Sequence, residues 1–208
     1  MKGAWARALP VIFILVAAAS RWPGLLPPSF SVFYGLAFVA GALMAGRLAW
    51  WLPLGTLLVT DLALNVHYTL KLGQSAFQPY QFLNYAAFAG LILLGRQFGP
   101  RASLGRLVGG GVLGAFLFWL LTNTAAWLFN PFANPEYSRT LAGWWLALTQ
   151  GTAGHPPTWT FLRNTLVSGA LFSALFAAAL QWAAKEPEPE EELEPAEEPA
   201  PGPKVEEA

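Results

Sequence analysis

The sequence predicts an all-α integral membrane protein with six transmembrane helices, followed by a disordered acidic C-terminal tail. Of its 208 residues, 55% are hydrophobic and only 12% are charged, whereas a soluble domain carries about 25% charged residues. The hydrophobic residues occur in repeated stretches before Ala184, while most acidic residues follow it. Both observations exclude an ordinary water-soluble globular domain.

Six apolar stretches reach or approach the length at which a helix crosses a bilayer, which is about 20 residues for about 30 Å of hydrocarbon. They cover residues 5–20, 31–48, 51–67, 81–94, 107–128 and 165–182. Prolines such as Pro23 and Pro100 separate them, as expected of residues that end helices. A seventh stretch, residues 141–148, is too short to span, and its two tryptophans favour the membrane interface. We therefore expect one six-helix transmembrane domain over residues 1–184.

The first stretch has a second interpretation. Lys2 and Arg7 precede a short apolar core that ends in three alanines, residues 17–19, and this pattern also fits a cleaved secretory signal peptide. Cleavage would leave five spans and place the two termini on opposite sides of the membrane. The sequence leaves both interpretations open.

The distribution of Lys and Arg residues predicts the orientation. With a cytoplasmic N-terminus, eight of the twelve cations fall inside, namely Lys2, Arg7, Arg47, Arg96, Arg101, Arg106, Lys185 and Lys204. The other four fall outside, namely Arg21, Lys71, Arg139 and Arg163. Because cytoplasmic loops carry the excess of Lys and Arg, we expect a multi-pass protein of the bacterial inner (plasma) membrane with both termini in the cytoplasm.

Residues 185–208 form the predicted tail. Ten of the chain's twelve acidic residues lie here among prolines and alanines, and such a composition cannot bury enough apolar surface to fold. We expect a disordered, solvated segment. The cations of the preceding domain are spread singly between apolar runs, so no nucleic-acid-binding surface is predicted.

The sequence lacks the motifs of several catalytic chemistries. It contains no Gly-Lys-Ser/Thr phosphate loop, no His-Glu-x-x-His zinc motif, no cysteine and only two histidines. The run from Gly109 to Gly114 has the spacing of a dinucleotide-binding loop, but it opens an apolar helix and favours close helix packing. We therefore expect no enzyme, no metal site and no cofactor.

The informative polar residues lie inside the apolar stretches. Asp61 places an ionisable group at membrane depth, which costs at least about 2.5 kcal/mol unless the group faces a cavity or a partner. Asn65 shares its helix face, four residues on, and Asn123 and Trp127 repeat that spacing in the fifth stretch. Both polar stripes end at one membrane level, which is the outer level in the predicted orientation.

A ligand site is predicted at this level. The candidate ligand-binding residues are Asp61, Asn65, Asn84, Asn123, Trp127, Tyr137, Arg163 and Asn164. Convergent amides, one carboxylate, one guanidinium and aromatic rings suit a small polar or heteroaromatic ligand. The alternative is that these groups only join neighbouring helices, with Asp61 paired to Arg163 or Arg139.

Several short motifs resemble those of an uncharacterised family of bacterial six-helix membrane proteins. They are residues 21–23, 28–32, 52–54 with 60–61, 118–127, 137–143 and 161–165. That family is similar in turn to the substrate-binding S components of energy-coupling factor (ECF) vitamin importers. The resemblance implies a six-helix, S-component-like fold and a vitamin-like ligand captured near the outer face. It also implies an ECF-type scaffold protein and ATPases as partners.

We therefore expect the substrate-binding subunit of a membrane transport system, embedded in the lipid bilayer. In this role Asp61 and Arg163 orient or neutralise the ligand, and amide and aromatic residues hydrogen-bond and cover it. The alternative is a non-transporting accessory or scaffold subunit of a larger membrane complex, which small-residue helices, interface tryptophans and the charged tail also favour.

Overall fold

The computed structural model describes residues 4–73 and 81–185, and every regular element within them is helical. These two segments contain α1 (Ala4–Ser20), α2 (Val32–Leu43), α3 (Leu48–Trp50), α4 (Thr56–Leu72), α5 (Gln81–Arg96), α6 (Leu104–Phe129), α7 (Leu141–Thr149) and α8 (Thr158–Ala183). A π-helical turn, Trp51–Gly55, joins α3 to α4 in one continuous helix. The predicted acidic tail beyond Lys185 lies outside the described residues.

Among residues 4–73 and 81–185, three helical segments are long and apolar enough to cross a membrane. They are Leu48–Lys71, Leu104–Phe129 and Thr158–Ala183. Two shorter apolar helices, Ala8–Ser20 and Val32–Leu43, accompany them. An all-helical fold with membrane-type helices is therefore confirmed for the described residues, and the number of six crossings stays a prediction.

Three helices differ in their bounds from the predicted stretches. The second ends at Leu43 rather than at residue 48, because Gly46 adopts φ +61° in the turn before α3. The third begins at Leu48 rather than at residue 51, and Pro53 consequently lies in the π-helical turn. The last begins directly after Pro157, so that Arg163 lies inside α8 and not in front of it.

Helix α2 lies at the centre of the bundle, where residues 32–42 are all buried. It packs against α5 and α8 through glycines. A Cβ added at Gly41 would lie 2.1 Å from the carbonyl oxygen of Ile92, and one at Gly35 would lie 2.5 Å from the backbone of Phe172. Such a methyl group has no room, so these helices contact each other backbone to backbone, as small residues at a helix interface allow.

Contacts between distant segments define two ends of the bundle. At the first, here named the Arg21 end, the side-chain amide of Asn164 in α8 donates to the carbonyl of Pro28 at 2.9 Å. At the second, here named the Arg101 end, Gln181 near the end of α8 donates to the carbonyl of Ala102 at 2.8 Å. The predicted polar stripes run toward the Arg21 end.

Candidate functional site

Asp61 pairs with Arg21, so the pairing with Arg163 or Arg139 that the alternative interpretation offered is wrong. A guanidinium nitrogen of Arg21 donates to Oδ1, and the hydroxyl of Tyr85 donates to Oδ2 at 2.7 Å. The physical reason lies in the packing. Helix α1 ends at Ser20 and packs against α4, whereas α8, which carries Arg163, packs mainly against α2 and α6.

The Arg21–Asp61–Tyr85 cluster joins three helical segments in a partly buried place. The Asp61 side chain is 12% exposed and that of Arg21 is 29% exposed. The Arg21 guanidinium also lies 5.9 Å from the centre of the Phe33 ring. A carboxylate that is both paired and hydrogen-bonded escapes most of the cost of an isolated charge in apolar surroundings. Both oxygens of Asp61 are thus engaged within the chain.

A cavity of about 540 Å³ opens between α5 and α6 at the Arg21 end, and two asparagines line it. We name it the amide cavity. Its lining residues are Ser29, Leu83, Asn84, Thr122, Asn123, Ala125, Ala126, Phe129, Pro131 and Phe132. Most of this lining is apolar or aromatic, and the two amides come from different helices.

The two amides differ in what they already bind. The nitrogen of the Asn123 amide donates to the carbonyl of Trp119 at 2.8 Å, which fixes the side chain and leaves its oxygen to accept a further hydrogen bond. Within residues 4–73 and 81–185, Asn84 forms no side-chain hydrogen bond. Each amide can therefore offer hydrogen bonds to a molecule in the cavity.

A second cavity, of about 430 Å³, adjoins the amide cavity and shares Ser29 and Asn84 with it. Arg21 and Tyr34 also line it. The Asp61 cluster therefore borders the ligand-sized space through Arg21. We name this second space the arginine cavity.

A third cavity, of about 580 Å³, lies under the loops on either side of α7 and shares Asn123 with the amide cavity. Tyr137 and His155 also line it. Glu136 ties the two loops together, because its carboxylate accepts the backbone N–H of Ala153 at 2.9 Å. That hydrogen bond lowers the pKa of Glu136, while burial and the neighbouring Glu136 charge raise the pKa of Tyr137.

The structure brings Asn84 and Asn123 together in the amide cavity and places Tyr137 with Asn123 in the third cavity, but the other candidates lie elsewhere. The indole N–H of Trp127 donates to the carbonyl of Ser138 at 2.7 Å. Asn164 binds Pro28, as described above, and the exposed Arg163 lies 3.5 Å from the Asn164 oxygen. Asn65 is half-buried on α4 and lines none of these three cavities.

Sequence reasoning missed Arg21, Tyr85 and Tyr34. A signal existed for Arg21, because the predicted topology already put it outside, at the level toward which the polar stripe from Asp61 runs. Tyr85 follows Asn84 directly, yet nothing in its spacing relates it to Asp61. Tyr34 lies among apolar residues of α2 and becomes recognisable only once the loop over residues 21–31 is in place.

Comparison with known proteins adds a family but no activity. No curated protein and no solved structure matches this chain. A family model matches residues 3–192, which include the whole described bundle and all eight candidate residues. The chain therefore belongs to DUF6580, a family of unknown function.

Proposed function

We propose that this protein is a six-span membrane receptor that binds a small polar, vitamin-like molecule in the amide cavity and delivers it for transport. The observation that supports the proposal is that Asn84 and Asn123, from two different helices, line one mostly apolar cavity of about 540 Å³. Small-molecule sites typically have about 300–1,000 Å³, apolar walls and a few polar groups that fix orientation.

The lining favours a neutral heteroaromatic ring over a charged ligand. The amide of Asn84 and the remaining capacity of the Asn123 amide can pair with a ring nitrogen, carbonyl or amino group, and Phe129 and Phe132 supply aromatic walls. The guanidinium of Arg21 is already neutralised by Asp61. In this proposal Asp61 acts through Arg21 as a positioning residue and does not touch the ligand.

Six crossings require that the short apolar helices also span, including α1. Buried side chains favour an uncleaved α1, since Phe13 is 3% exposed and Ala17 is fully buried against the bundle. Arg47, Arg96 and Arg101 are exposed at the Arg101 end, and the positive-inside rule then makes that end cytoplasmic. The amide cavity accordingly faces outward in the inner membrane, with both termini inside.

Transport from this site needs a coupling partner. The sequence has no phosphate loop with which the chain could hydrolyse ATP. We propose an ECF-type scaffold protein with its ATPases as the partner class, and the sequence resemblance alone supports this step. No enzymatic activity is proposed.

Native mass spectrometry of the tagged protein, purified from its own host in mild detergent, tests the proposal. We expect a monomer that carries one small-molecule adduct. Asn84→Leu and Asn123→Leu should each reduce the adduct at least about fivefold, because an unpaired polar group costs about 1–3 kcal/mol. Gln97→Leu, an amide replacement at the other end of the bundle, should leave it unchanged.

A different result would favour the alternative function. If the protein carries no adduct and copurifies with fixed membrane subunits, it is an accessory or scaffold subunit. The asparagines then serve only to join helices.

A further inference from the structure

Four arginines lie together at the Arg101 end, and all are exposed. Arg47 precedes α3, Arg96 ends α5, and Arg101 and Arg106 flank the start of α6. The guanidinium of Arg96 lies 5.1 Å from the centre of the Trp50 ring, and the backbone N–H of Trp50 donates to the carbonyl of Arg47 at 3.1 Å. We call these four residues the arginine face.

The arginine face has no acidic partner in the part of the chain that the structure describes. Only Asp61 and Glu136 are acidic there, and both lie at the Arg21 end. Asp61 is engaged by Arg21 and Tyr85, and Glu136 by Ala153. Four like charges therefore share this end of the bundle without a carboxylate, an arrangement that attracts an anion.

The described part of the chain ends close to this face, and the sequence that follows is strongly acidic. Gln181 binds the carbonyl of Ala102, the residue after Arg101, and α8 ends two residues later at Ala183. Residues 186–198 then contain eight glutamates. An extended chain covers up to about 3.5 Å per residue, so these 13 residues reach across several interhelical spacings of about 8–10 Å.

We propose that the acidic segment over residues 186–198 binds the arginine face of its own chain. Complementary charge and direct chain connection both support this occupant. The connection makes the contact intramolecular, with an effective concentration of about the millimolar range for a short linker. Because the groups are exposed, salt screens the contact, and anionic lipid headgroups compete for the same guanidinium groups. This proposal does not rest on the proposed ligand site.

Distance measurement between two spin labels tests the proposal on the full chain. The protein has no native cysteine, so Gln97→Cys beside the arginine face and Leu193→Cys in the acidic segment give one defined pair. The labelled protein is placed in phosphatidylcholine nanodiscs. Double electron–electron resonance is then recorded at about 20 mM and about 500 mM NaCl, between which the Debye length falls several-fold.

We expect a dominant short-distance population at low salt that falls at least about threefold at high salt. Arg101→Gln combined with Arg106→Gln should cause the same loss at low salt. The matched control, Lys71→Gln combined with Arg139→Gln, removes the same charge from the other end and should leave the short-distance population unchanged.

Either of two outcomes overturns the proposal. The first is a distance distribution that neither salt nor the Arg101 and Arg106 substitutions change. The second is a broad distribution in phosphatidylcholine, while the same arginine substitutions weaken binding of the full chain to phosphatidylglycerol. That second result would assign the arginine face to lipid headgroups instead.

Discussion

Asp61 receives hydrogen bonds from two side chains that belong to other segments of the bundle, Arg21 and Tyr85. Hydrogen bonds to an ionised acceptor are about twice as strong as neutral ones. Partial burial increases the cost of losing one of these hydrogen bonds, because the remaining polar group would be poorly solvated. The cluster is therefore a local source of stability next to the arginine cavity.

Replacement of Asp61 by Asn should lower the free energy of unfolding by about 2 kcal/mol. This is less than the 3–5 kcal/mol of a fully buried pair, because Arg21 keeps some solvent contact. Unfolding in detergent, followed by tryptophan fluorescence, measures the change. Arg163→Gln should stay within about 0.5 kcal/mol of wild type.

The double variant with Arg21→Gln checks the assignment of the pair. In the Asp61→Asn background, the second substitution should cost at least about 1 kcal/mol less than it does in wild type. Additive costs would contradict a direct interaction between Arg21 and Asp61.

The contact between Glu136 and Ala153 should respond to pH in a defined direction. Because the pKa of Glu136 is lowered from its usual 4.5, the contact is fully formed above pH 4.5 and is lost as the pH falls through that lower pKa. Selective ¹⁵N labelling of alanine in micelles lets the Ala153 amide shift report the titration. We expect a midpoint below 4.5 and no titration in Glu136→Gln.

A midpoint at or above the usual value would contradict the hydrogen bond. The Glu136→Gln variant also keeps the backbone of the loop intact, so it separates titration of this carboxylate from general acid effects on the protein.

At the scale of single residues, the sequence identified Asp61 but not its partner. A carboxylate inside an apolar stretch can be recognised from the sequence alone, whichever helices turn out to be neighbours. Its partner depends on which helix lies beside α4, and that neighbour is α1. Spacing along the chain carries no information about this choice, because Arg21 and Arg163 are both placed at the right membrane level.

At the scale of helices, the tight contacts around α2 depend on glycine at single positions. A Cβ at Gly41 would overlap the carbonyl of Ile92 in α5. Gly90, on the same helix α5, has nothing within 4 Å of an added Cβ. The two positions therefore form a natural matched pair.

Gly41→Ala should destabilise the protein by about 1–3 kcal/mol, as is typical when a tight core is overpacked. Gly90→Ala should instead stabilise it by about 0.5–1 kcal/mol, because alanine is the better helix former. Thermal unfolding of both variants in one detergent makes the comparison. Equal effects at the two positions would contradict the close approach of α2 and α5.

The helices themselves were largely predictable, and their exact ends were less so. Apolar stretches fixed the places of α1, α5 and α6 to within a few residues. The early end of α2 depends on the turn at Gly46, and the continuation of α3 through Pro53 depends on a π-helical turn. Both are departures from ordinary helix geometry that hydropathy does not detect.

At the scale of the whole molecule, the proposed orientation makes opposite predictions for the two ends of the bundle. In intact spheroplasts, a membrane-impermeant maleimide should label Pro135→Cys at the Arg21 end. It should label Gln97→Cys at the Arg101 end only after permeabilisation. The reverse pattern would invert the topology and turn the amide cavity toward the cytoplasm.

The cavities could be predicted only in part from the sequence. Matching polar stripes predicted that Asn123 belongs at the outer level with Asn84, and both residues line the amide cavity. The enclosing walls come from the loops over residues 21–31 and 130–140, whose paths depend on contacts with α8 and α6. Trp127 and Asn164 hold those loops and therefore do not line the amide cavity.

The π-helical turn at Trp51–Gly55 also fixes the rotational phase of everything that follows it. Such a turn accommodates one more residue than an α-helix does over the same length. If the same residues wound as a regular α-helix, the extra residue would no longer be absorbed and α4 would swing by about 100° around its own axis. Asp61 would then turn away from Arg21, so the wide winding of this short segment sets the direction in which the membrane-embedded charge points.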